Sequence, residues 1–175
     1  MVSSGEPDVT TVRLEQTQSD LGVGSLCGTY RHHVDEKGRV AIPAQMRRFL
    51  PEGSMVTLGA ETRLMIWPPD AWAGHTELFL RTAETEAQRR RFLRILHSKA
   101  SNFEVDAQGR LLLTAHQRAF AKIVDQVIFV GTGTGVEVIA DEIWKAEEEP
   151  ITPEEFTQVW DFVHQRGSSA SSSPA

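Results

Sequence analysis

VDEKGRVAIPAQMRRF, residues 34–49, returns as VDAQGRLLLTAHQRAF at residues 105–120. Val34, Asp35, Gly38, Arg39, Ala44, Arg47 and Phe49 are identical to Val105, Asp106, Gly109, Arg110, Ala115, Arg118 and Phe120, seven matches in sixteen positions where unrelated segments give about one. Each copy opens with an Asp at the first position of a four-residue turn and a Gly where φ turns positive. Apolar residues follow, Val40 and Ile42 in one copy and Leu111 and Leu113 in the other, and predict a buried strand. Thr114 and Gln117 have the spacing of a capping box for a helix over 115–122. Pro43 stands in the place of Thr114 and suits the first turn of the equivalent helix, because the N–H it lacks is unpaired there anyway.

The duplication extends outward from this core. With one more residue of offset, Leu64 and Ile66 meet Val136 and Val138, and Trp72 meets Trp144. Ser101 to Val105 reads as the strand before the second turn. Residues 54–58 with 64–67, and 126–130 with 136–140, read as strand pairs. The division is then a copy at 29–76, a connecting basic helix at 77–99, a second copy at 100–143 and a helical segment at 144–166. Phe79, Leu80, Ala83, Ala87, Leu93 and Leu96 fit the connecting helix, which carries Arg89, Arg90, Arg91 and Arg94. Thr152-Pro153-Glu154-Glu155 caps a terminal amphipathic helix whose stripe is Phe156, Val159, Trp160 and Val163, running to about Gln165. Residues 1–25 and 167–175 have the polar, aperiodic composition of disordered ends.

With 175 residues and 40% apolar content, the chain can bury a core without crosslinks, and Cys27 is its one cysteine. No apolar run approaches the length of a spanning helix and no secretory signal opens the chain, which predicts a cytoplasmic protein. A net charge of −6 argues against a nucleic-acid partner when taken as a whole. The charge is segregated, however: residues 28–50 carry +3 and 81–122 carry +5, whereas 141–175 carry −6.

Asp35 and Asp106 are read as turn organisers, accepting hydrogen bonds from backbone N–H groups, and Gly38 and Gly109 as backbone requirements. Two roles stand open for Arg39 and Arg110: an ion pair with the turn Asp, or bidentate recognition of guanine by a two-stranded ribbon in the major groove. Lys37 at one turn tip suits phosphate or guanine, and Gln108 at the other suits adenine. Arg31, Arg47, Arg48 and Arg118 are candidates for phosphate contacts or for pairing within the protein. Enzyme readings fare worse. Gly131-Thr132-Gly133-Thr134-Gly135 follows a strand, but Val136-Glu137-Val138-Ile139 continues as a strand where a phosphate loop must open a helix, so a hairpin turn is read. The six histidines show no metal-binding spacing, and Cys27 has no signature of a nucleophile. No cofactor, metal or small-molecule substrate is called for, and no membrane.

The paired D-x-x-G-R turns, Asp35-Glu36-Lys37-Gly38-Arg39 and Asp106-Ala107-Gln108-Gly109-Arg110, each with an arginine eight positions further on, and the Arg-rich segment between them, resemble the MraZ family of bacterial transcriptional regulators. The resemblance runs from Leu26 to Trp144. It implies an α+β fold: an intramolecular duplication of the SpoVT/AbrB swapped-hairpin β-barrel with short helices. It also implies a ring-shaped homo-oligomer that binds short direct repeats in double-stranded DNA, usually repressing its own division and cell-wall gene cluster, and is nucleoid-associated. Arg31, Lys37, Arg39, Arg47, Gln108, Arg110 and Arg118 form the DNA-binding set on this reading. The same barrel occurs in antitoxin-like proteins, in which a terminal segment captures a second protein; here that segment would be residues 150–165. The sequence departs from the family pattern in the residues before Leu26, in Thr114 where proline is common, and in its acidic helix and Ser-rich tail.

Overall fold

The computed structural model describes residues 26–147 and 151–170, with no side chain described beyond His164; the readings made for residues 1–25 and 171–175 lie outside it. In chain order the elements are β1 (Thr29–His33), β2 (Arg39–Ala41), α1 (Ala44–Arg47), β3 (Met55–Leu58), β4 (Leu64–Trp67), α2 (Pro69–Thr82), α3 (Glu86–Ser98), β5 (Ser101–Asn102), β6 (Arg110–Leu112), α4 (Ala115–Phe120), β7 (Gln126–Gly131), β8 (Val136–Ala140), α5 (Asp141–Glu147) and α6 (Pro153–Ala170). Two compact units divide between Trp144 and Lys145.

In the first unit, six strands form an antiparallel sheet in the order β1-β7-β8-β4-β3-β5, and β2 pairs with β6 as a separate two-stranded ribbon. Apart from the hairpins β3–β4 and β7–β8, every ladder joins one copy of the repeat to the other. β1 lies on β7 with Arg31 opposite Ile128, β5 lies on β3 with Ser101 opposite Val56, and β4 meets β8 with Met65 opposite Glu137. Neither copy can therefore complete its sheet alone. Among the described residues no ladder joins the edge strands β1 and β5, so the sheet is open where a closed barrel was expected. The second copy's first strand is also shorter than 101–105: β5 stops at Asn102, and Val105 contributes only a bridge to Leu111.

The core lies between the sheet and the ribbon. Val40 and Leu111 sit opposite each other in the ribbon and are both buried, along with Ile42, Leu113, Val56, Ile66, Phe129 and Val138. Equivalent positions Met46 and Gln117 are both buried, despite opposite polarity. The reason lies three residues earlier. Thr114 has an N–H that Gln117 Oε1 accepts at 2.9 Å, Thr114 Oγ1 accepts the Gln117 N–H at 3.2 Å, and Gln117 Nε2 reaches Ser101 Oγ at 2.9 Å, so the buried amide is satisfied. Pro43 has no N–H to satisfy, and an apolar methionine suffices beneath it. Pro43 is the N-cap of α1, just outside the first helical position.

Where one connecting helix was expected over 77–99, two are found, and the first starts at Pro69. Ala83 adopts an extended conformation that breaks the run, and Thr85 restarts it through a capping box with Gln88. The apolar residues chosen for one helical face fall on two helices packed together, with the rings of Phe79 and Phe92 edge-to-face at 5.9 Å. Gly131 to Gly135 forms the expected hairpin turn, closed by the Thr132 N–H donating to the Gly135 carbonyl at 3.0 Å.

In the second unit, α6 begins at the expected capping box, Thr152 Oγ1 accepting the Glu155 N–H at 3.2 Å and Glu155 Oε2 accepting the Thr152 N–H at 2.9 Å. The helix runs to Ala170, into the segment expected to be a disordered tail, because extending an existing helix through small residues needs no new nucleus. Phe156, Val159, Trp160 and Val163 are exposed along it.

Candidate nucleic-acid interface

The two D-x-x-G-R turns share one hydrogen-bond frame. Asp35 Oδ1 accepts the N–H of Lys37 at 3.0 Å and of Arg39 at 2.9 Å; Asp106 Oδ1 accepts those of Gln108 at 2.9 Å and Arg110 at 3.0 Å. The Gly38 and Gly109 N–H groups each donate to the Asp carbonyl of their own turn at 2.8 Å. Both glycines have φ in the left-handed region, +82° and +72°, where a side chain is strained. The turns are also tied across the copies: the Leu113 N–H donates to the Gly38 carbonyl at 2.9 Å and the Ile42 N–H to the Gly109 carbonyl at 3.1 Å.

Each Asp Oδ2 takes its arginine side-on. Arg39 Nε and Nη2 reach Asp35 Oδ2 at 2.7 Å, and Arg110 Nε and Nη2 reach Asp106 Oδ2 at 2.9 and 2.8 Å. Arg110 Nη1 also lies 3.7 Å from Asp35 Oδ2, which brings the two turns against each other. The ion-pair role assigned to these arginines is therefore present. It does not exhaust them, because a guanidinium has five N–H donors and side-on pairing uses two. Donors on Nη1 and Nη2 remain beyond that pairing, Arg110 Nη1 turning one side toward Asp35, and about a third of each arginine side chain is exposed. The ion pair thus orients each group while leaving it partly exposed.

The other candidates separate. Lys37 and Gln108 are exposed at the tips, their side chains taking no part in the frame. Arg47 and Arg118 reach across the repeat: a Cβ placed on Gly109 would collide with Arg47 Nη1, and one placed on Gly38 would lie 2.8 Å from Arg118 Nε. Each arginine thus covers the glycine of the opposite turn. Arg118 Nε is buried there without a hydrogen-bond partner among the described residues. Arg31 stands apart from the turns, paired through Nε to Asp141 Oδ1 at 2.8 Å. Asp141 is the residue that sequence reasoning missed; it follows β8, and only the ladders β1–β7 and β7–β8 bring it to Arg31. Arg48 lies over the Phe49 ring, 4.5 Å from its centre.

Backbone and side-chain donation from Arg39, with the Lys37 N–H, holds the Asp35 carboxyl below its ordinary range against a smaller opposing effect of burial. At Asp106 the Arg110 side chain is the largest cause, followed by its N–H. His32, edge-on to Phe129 at 5.6 Å, and His75, stacked on Trp67 at 4.6 Å, are both held below the usual histidine value by burial. All four shifts are downward, so the unfolded chain takes up these protons first. Stability present above about pH 6.5 is expected to fall as acidification passes through the folded histidine values, and to fall again below about pH 4 through those of the aspartates. Urea melts between pH 7 and 3 check this, with His75→Phe flattening the first stage; stability that rises on acidification would contradict it.

A duplicated α+β chain, with two matching Asp-Arg turns side by side and a cationic and an amide tip exposed, is the class of protein that fold and site define. The family model described as "MraZ protein, putative antitoxin-like" matches twice, at residues 26–95 and 96–161. The chain belongs to the MraZ family. It is 39% identical over 120 residues to the "Transcriptional regulator MraZ" of Caldanaerobacter subterraneus subsp. tengcongensis, covering 69% of this chain and 84% of that one. The protein of the same name from Carboxydothermus hydrogenoformans is 39% identical over 117 residues, 67% and 82% of the two chains. That of Heliobacterium modesticaldum is 36% identical over 126 residues, 72% and 88%.

Proposed function

We propose that this protein is a sequence-specific, double-stranded-DNA-binding transcriptional regulator, cytoplasmic and nucleoid-associated, that represses its own division and cell-wall gene cluster from short direct repeats. The observation that carries the reading is the pair of turns held in one frame, with Arg39 and Arg110 side by side and partly exposed and the tips Lys37 and Gln108 exposed to solvent. Arg39 and Arg110 read bases. Arg47 and Arg118 steady the opposite turns and supply charge to phosphates, and Arg31 serves the fold through Asp141. The reciprocal ladders support a swapped-hairpin arrangement of AbrB type, with an open sheet and the β2–β6 ribbon beside it. A ring of identical subunits on repeated DNA makes each contact after the first intramolecular, so removing one DNA repeat costs more than its share.

Duplex DNA from upstream of the encoding gene is the test ligand. Affinity is expected to fall steeply between low and physiological salt, because phosphates are neutralised by confined basic segments of an acidic chain. An affinity flat across that range overturns the electrostatic part of the reading, and a monomer in light scattering overturns the ring. A second reading has one observation in its favour. The exposed Phe156, Val159, Trp160 and Val163 of α6 fit capture of a partner protein alongside DNA binding. A stoichiometric partner that is lost with Phe156→Ala and Trp160→Ala would establish it.

A further inference from the structure

The two turns are alike in backbone and unlike at every exposed tip. Their corresponding backbone and Asp-Arg hydrogen bonds differ by no more than 0.2 Å, and β2 and β6 pair antiparallel about the Val40–Leu111 contact. An antiparallel pair of identical turns presents a two-fold symmetric face, which suits an inverted DNA sequence. The side chains break that symmetry. Glu36 and Lys37 stand where the second copy has Ala107 and Gln108, and Arg48 stands where it has Ala119. The side chains of Lys37 and Gln108 take no part in the turn frame, which uses only their backbone N–H groups. The frame therefore leaves the tips free to differ.

We infer that Lys37 and Gln108 set the polarity of the DNA element read by one chain: a symmetric scaffold carries a guanine- or phosphate-seeking cationic tip on one side and an adenine-seeking amide tip on the other. This rests on the DNA-binding reading above and adds to it the residues that make the element asymmetric. A lysine ammonium donates only, to guanine O6 and N7 or to phosphate, whereas a glutamine amide donates and accepts and matches adenine N6 and N7. An asymmetric element is also the only kind that can be repeated head to tail with a defined direction.

The experiment is selection from a pool of duplexes randomised through their centre, using the full-length protein, Gln108→Lys and Lys37→Gln, with melting curves to show that all three are folded. The wild-type protein is expected to enrich an element whose two halves differ. Gln108→Lys is expected to make the halves reverse complements at the positions under the tips, changing base preference there by about tenfold or more. Lys37→Gln should do the same with adenine replacing guanine. A wild-type element that is already two-fold symmetric, or variants that enrich the wild-type element unchanged, overturns the inference while leaving DNA binding in place. No enrichment of any duplex by the wild-type protein instead overturns the reading of the site itself.

Discussion

Replacing Arg39 and Arg110 together by alanine is expected to abolish specific binding to operator duplex while leaving a folded protein. Each arginine that reaches a base edge supplies about 1–3 kcal/mol of discrimination, so losing two per chain weakens a single subunit's binding by about thirtyfold or more. In a repetitive assembly that loss is multiplied over the subunits engaged. The cost to the fold is small by comparison. The guanidinium groups are partly exposed, and when they are removed Asp35 and Asp106 still accept two backbone N–H groups each. Asp35→Ala and Asp106→Ala behave differently, because they release those donors and loosen the turn before any DNA is present. Fluorescence anisotropy on labelled duplex, with thermal melting of all four single variants, separates the cases. Arginine variants that melt early and bind in proportion to their folded fraction would make the arginines structural alone.

The largest loss of stability is expected from Phe129→Ala, about 3–5 kcal/mol. Phe129 is fully buried, on the strand that joins the two copies: it pairs with Tyr30 on β1 and with Val138 on β8. Truncation leaves a cavity between a strand of the first repeat and one of the second, where neither copy can close around it alone. The His32 ring lies in a T-shaped contact with the same phenyl group, so the histidine gains hydration on its removal and its pKa is expected to rise toward the ordinary value. Urea denaturation measures the first effect and a histidine NMR titration the second. A loss under about 1 kcal/mol would show that the cross-copy layer does not depend on this ring.

The local elements were legible because their signals are local. Asp35 and Gly38, or Thr114 and Gln117, lie within four residues of each other, and a hydrogen bond at that range is decided by the residue types and the turn. The duplication was legible for the same reason, as a pattern repeated in order. The Asp-Arg pairs and the exposed tips of the candidate site followed from it. The break at Ala83 was harder to read, since the capping signal at Thr85 and Gln88 competes with an apolar periodicity that runs straight through it. What the amino-acid order does not encode locally is which copy each strand joins. β1 pairs with β7, and β5 with β3, because burying both apolar faces requires the other repeat, a condition satisfied only when all ladders form together. Every finding that rests on that exchange was decided by the tertiary structure. Arg31 finds Asp141 across two ladders, and Arg47 and Arg118 settle over each other's glycines instead of standing clear as phosphate contacts alone. Gln117 is buried beside Ser101 where its counterpart is methionine, because a partner for its amide arrives only with the assembled fold.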